Sequence, residues 1–135
     1  MDKKISEFID SERDDIINDI RALVRIASVR SDASDGCPFG EKCAEALKEG
    51  TAILKKLNLD NENVDNYVIT ASLNNNETKL GVLAHLDVVE AGDGWSCPPF
   101  DVTVKGDKII GRGTADDKGP AVAAMYAFHA VKTLY

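Results

Sequence analysis

The run Leu80-Gly81-Val82-Leu83-Ala84 contains no polar side chain, and it lies between Asn74-Asn75-Asn76 and a loop holding Gly92, Gly94, Pro98 and Pro99. So short and so apolar a run reads as a central strand covered on both faces. The covering layers must come from elsewhere in the chain. That requirement selects an α/β class, with helices flanking a central, mostly parallel or mixed sheet.

The rest of the chain supplies matching elements. Ile5, Phe8, Ile9, Ile16, Ile20, Leu23, Val24 and Ala27 recur at three- and four-residue steps, which predicts a helix over 5–27. Residues 28–40 are rich in Ser, Asp, Gly and Pro and read as a loop. A second helix is expected over 41–58, with Asn58 as its end signal. Residues 67–73 read as a strand. Shorter strands are expected over 101–105 and 108–111, around the turn Gly106-Asp107. Pro120 suits the first turn of a last helix, 121–134, which is apolar nearly all round and is therefore expected to be buried.

Composition excludes several function classes. The 135 residues fit one domain and are enough to bury a core. A net charge of −7 argues against nucleic acid, which needs a basic face. Cys37, Cys43 and Cys97 are odd in number and fit no metal-binding spacing, so they read as packed small hydrophobes in a reducing compartment. No run reaches the ~18 apolar residues of a membrane helix, and Met1-Asp2-Lys3-Lys4 does not open a signal peptide. The cytoplasm is the default expectation.

Two motifs can carry chemistry. His85-Leu86-Asp87 ends the apolar run, and Gly111-Arg112-Gly113-Thr114-Ala115-Asp116-Asp117-Lys118-Gly119 is a carboxylate-bearing glycine turn before the last helix. Sites in open α/β sheets form beyond the carboxyl ends of strands, where both motifs are expected. Zinc accepts imidazole nitrogen and carboxylate oxygen, and one carboxylate can bridge two ions. Asp87 is placed to orient the imidazole of His85 and raise its basicity. A phosphate-binding turn is disfavoured: the spacing does not match the P-loop, and Asp116 and Asp117 would repel phosphate. Lys118 reads as turn architecture, Trp95 as a pin for its own loop, and His129 as a packed helix residue.

These residues, together with Val88-Val89, Gly92-Asp93-Gly94-Trp95, Pro99-Phe100 and Pro120, resemble the co-catalytic zinc peptidases of metallopeptidase family 20, most of all the PepV-type bacterial dipeptidases. The resemblance implies that His85 ligates one metal, that Asp116 bridges two, and that Asp87 is the catalytic-site residue that positions His85. It implies a cis bond between Asp116 and Asp117. The implied cofactor is Zn2+, two per complete site, with Mn2+ or Co2+ as alternatives. The implied substrate is a dipeptide or another small amide, with N-acyl amino acids as the alternative.

The family's general-base Glu, its remaining ligands and its lid domain would follow the last helix. No Asp or Glu occurs after Asp117. Residues 1–135 are therefore expected to be the N-terminal portion of a zinc-peptidase catalytic domain, inactive alone. The alternative is a non-catalytic truncated or split module that needs a complementary chain.

Overall fold

The computed structural model describes residues 2–135. Its helical part begins with two helices where the periodicity predicted one. They are α1 (Lys3–Ser11) and α2 (Arg13–Arg25). The interruption is local. The Ser11 hydroxyl donates to the Phe8 carbonyl (2.7 Å), and Glu12, at φ −89° and ψ 1°, leaves helical geometry. A side chain that bonds a backbone carbonyl offers the chain an exit from the helix. The apolar stripe continues across the break, which is why it read as a single helix. Asp14 and Asp15 in the first turn of α2 favour its N-terminus electrostatically. Ile26, at φ −86° and ψ 109°, ends α2 in extended backbone.

Helix α3 (Glu41–Lys56) ends at Leu57, followed by Asn58 at φ 55°. Strands β1 (Asp60–Val64) and β2 (Val68–Ser72) form an antiparallel hairpin pairing Val64 with Val68. Asp65 and Asn66 both have positive φ, as a tight hairpin turn requires, and both residue types tolerate it. The polar sequence of β1 gave no strand signal; β2 recruits it. Strands β3 (Thr103–Lys105) and β4 (Lys108–Ile110) form a second antiparallel pair around Gly106. Helix α4 (Lys118–Leu134) starts three residues earlier than expected, inside the glycine turn.

The core lies between α2, α3 and α4. Ile20, Leu23 and Val24 meet Ile53, Leu54, Leu57, Val122 and Tyr126 there. Leu23 and Val24 are fully buried, and each such side chain stabilises the fold by about 1.5–3 kcal/mol. One buried polar group ties the three helices. The Tyr126 hydroxyl donates to Asp19 Oδ2 (2.7 Å), and Lys56 Nζ donates to Asp19 Oδ1 (2.8 Å). Burial, with the Asp19 carboxylate beside it, pushes the Tyr126 phenol up to about 12.

The α/β class is as expected, but the described strands form two separate antiparallel pairs. Residues 80–84, read as a central strand, join neither. Leu80 is 73% exposed and Leu83 is 93% exposed. A strand requires neighbours on its edges; β2 pairs with β1 along one edge, and residues 80–84 do not take its other edge. Helix α4 likewise buries one stripe, Lys118, Val122, Tyr126 and Ala130, instead of its whole surface. Among the described residues, no helix is long and apolar enough to cross a membrane.

Candidate functional site

His85 and Asp87 stand at the end of the unpaired apolar run, and Asp116 stands one turn before α4. Folding brings them together. His85 Nε2 lies 3.1 Å from Asp116 Oδ1, across 31 residues of sequence. His85 Nδ1 lies 3.1 Å from the Asp87 carbonyl oxygen and 3.3 Å from Asp87 Oδ1. The backbone N–H of His85 donates to Asp117 Oδ2 (3.2 Å). Asp87 thus faces one ring nitrogen and Asp116 the other. The contact to Asp117 has no sequence signal beyond its adjacency to Asp116.

The three side chains are open to solvent, with Asp116 89% exposed. Partial burial works against a charged His85 imidazole. Bonds to the Asp116 carboxylate and the Asp87 carbonyl outweigh it and hold the pKa above the usual histidine value. The arrangement can accept a proton or present an imidazole–carboxylate pair to a cation. Among the described residues, no group of three or more His, Cys, Asp or Glu side chains is disposed to hold a metal ion.

Backbone close to the site is tightly fixed. The Asp116–Asp117 peptide bond is cis. Gly113 has φ 96°, and the Gly119 N–H donates to the Gly113 carbonyl (3.1 Å). A Cβ on Gly119 would lie 2.0 Å from the Thr114 carbonyl oxygen, so only glycine lets the turn close onto the start of α4. Lys118 is fully buried, with its Nζ donating to the carbonyls of Leu23 (2.8 Å) and Ile26 (2.7 Å). Burial pushes its pKa down to about 8. It serves turn architecture, as its position suggested.

Trp95 Nε1 donates to the Ala91 carbonyl (2.8 Å), which also accepts from Arg112 (3.0 Å), so Trp95 pins its loop. His129 packs near Phe8 and Tyr126, with Nδ1 3.1 Å from the Leu57 carbonyl oxygen, far from the candidate pair. The three cysteines are unpaired, and Cys43 is buried. Beside the site lies an apolar cleft of about 470 Å³, with Val82, Leu83, Met125 and Phe128 in its wall alongside His85 and Asp87.

Residues 81–135, which hold both motifs, match the sequence profile of peptidase family M20/M25/M40. Two Staphylococcus aureus proteins carrying a provisional dipeptidase name, from strains USA300 and NCTC 8325, are 42% identical over 123 residues, 90% of this chain. Over residues 81–135 the chain is similar to that peptidase family. It spans 26% of the length of those relatives. The crystal structure of human carnosine dipeptidase 1 superposes with a TM-score of 0.71 at 23% identity, covering 98% of this chain and 31% of that one. The two chains therefore share a fold through nearly all of the described residues.

Proposed function

We propose that residues 1–135 carry the N-terminal part of a zinc-dependent dipeptidase catalytic domain and supply two of its metal ligands, His85 and Asp116. The observation that carries this reading is the 3.1 Å between His85 Nε2 and Asp116 Oδ1. Two donors about 2.1 Å from a tetrahedral zinc ion would lie about 3.4 Å apart, so the pair is within a few tenths of an ångström of the separation a shared ion would require. The dipeptidase names of the relatives, 42% identical, point to dipeptides as the substrate class.

Each residue has a distinct task. Asp87 accepts the Nδ1 proton of His85, which leaves the Nε2 lone pair directed at Asp116. Asp116 is open enough for its second oxygen to serve another ion. Asp117 fixes the His85 backbone and keeps the imidazole beside the turn. When bound, zinc polarises the scissile carbonyl and makes water a nucleophile near neutral pH. The proton that water loses needs a general base, and the carboxylates of this site are committed to ligation and orientation. Without such a base a factor of about 10²–10⁴ is forfeited.

The test is titration of the purified chain with Zn2+ and Co2+, with hydrolysis of a dipeptide series measured alongside. The expected result is weak binding, lost in both His85→Ala and Asp116→Asn, and no measurable hydrolysis. Binding indifferent to both substitutions would overturn the ligand assignment. Brisk zinc-dependent hydrolysis by these residues alone would overturn the partial-site reading.

A further inference from the structure

Two motifs far apart in sequence can hold a 3.1 Å separation only if something fixes both. The described contacts converge on the end of α2. Lys118, two residues after Asp116, buries its whole side chain and spends two N–H donors on the Leu23 and Ile26 carbonyls. Helix-end carbonyls carry the negative end of the helix dipole, so an ammonium fits there. Ser28 is also fully buried. Its hydroxyl donates to the Leu86 carbonyl (2.6 Å), and its own carbonyl accepts from the Val88 N–H (3.0 Å). Those two bonds bracket Asp87 and fix the backbone immediately after His85.

The two grips share an atom. The Ile26 carbonyl accepts from Lys118 Nζ (2.7 Å) and from the Ser28 N–H (2.8 Å). They also meet across Gly113, where an added Cβ would lie 3.1 Å from both the Lys118 stem and Val88. None of Leu23, Ile26 or Ser28 could act on a substrate, and none carried a functional signal in the sequence.

We propose that Leu23–Ser28 is the positioning element of the site, with Lys118 and Ser28 as positioning residues that set the His85–Asp116 separation from behind. The link to metal binding rests on the ligand assignment proposed above; the link to His85 geometry does not.

The experiment therefore uses two readouts on the full chain. The first is the ring NMR signals of the metal-free protein. It has only two histidines, so His129 serves as an internal reference. Lys118→Met, which keeps the bulk, and Ser28→Ala should each shift the His85 signals and leave those of His129 in place. The second is Co2+ titration. Affinity should fall about 10- to 100-fold in each variant, the usual cost of losing support behind a ligand. The double variant should lose less than the product of the two, because both grips are anchored in one short segment, Ile26–Ser28. Ser28→Thr, which keeps the hydroxyl, should restore both readouts.

Ile53→Ala is the control for stability loss, since Ile53 is a buried core residue of α3. His85 signals unmoved in both variants would overturn the proposal. So would equal His85 shifts in Ile53→Ala. Shifted His85 signals in a parent chain that binds no Co2+ would sustain the positioning role and sink the ligand assignment instead.

Discussion

Helix α4 has two apolar sides with opposite fates. On one, Val122, Tyr126 and Ala130 are buried against α2 and its neighbours. On the other, Met125 and Phe128 line the wall of an open cleft together with Val82 and Leu83. The residue types on the two sides are similar, and their hydrophobicity does not distinguish them. What differs is the presence of a facing surface. The buried side also holds a polar tie, Tyr126 to Asp19 to Lys56, that only a closed interface can make worthwhile. The open side holds His85 and Asp87 at its edge.

The sharpest way to break this comparison is Tyr126→Ala. It removes a fully buried ring and leaves Asp19 without its hydroxyl donor. The expected loss is about 3–5 kcal/mol in urea unfolding. A loss below about 1 kcal/mol would mean that the packed side does not carry the fold.

Alkaline pH tests the same tie more gently. The Tyr126 pKa is raised from 10.0 to about 12, so the protonated phenol is favoured in the folded state. Its contribution is fully present below pH 10 and is lost as pH rises through about 12. Lys56 is shifted the same way: burial opposes its charge, and the Asp19 carboxylate and Tyr126 more than compensate. Thermal unfolding between pH 9 and 12 should therefore fall steeply in the parent and less steeply in Tyr126→Phe. Parallel curves would remove the tie from the stability account.

The smallest effect belongs to the open side. Leu83 is 93% exposed, so Leu83→Ala should change stability by less than about 0.5 kcal/mol. Binding of an apolar dye should nevertheless decrease in Leu83→Lys, because the cleft wall would carry a charge. A large stability loss in Leu83→Ala would show that the cleft is closed in solution.

Much of the site was legible in the sequence. His85, Asp87 and Asp116 announce themselves through residue type and spacing beside glycine, and the structure brings those three together. The helices were legible too, because a stripe at 3.6-residue spacing repeats often enough to read. Their breaks were less so: the Ser11 bond to Phe8 and the turn of backbone at Glu12 are single local events within an unbroken stripe. Strand β1 was hidden because Asp60-Asn61-Glu62-Asn63 has little strand preference and is held by its partner.

The sequence by itself determined the helical stripes, the turn-forming glycines and the identity of the chemically competent side chains, since all of these are local properties of residue type and order. Only the tertiary structure decided which apolar surfaces are covered. It left Leu80 and Leu83 exposed although the run reads as a buried strand, because burial depends on what lies opposite. It also set the 3.1 Å between His85 and Asp116, beside long-range side-chain-to-backbone bonds from Ser28 and Lys118 that no spacing in the sequence encodes.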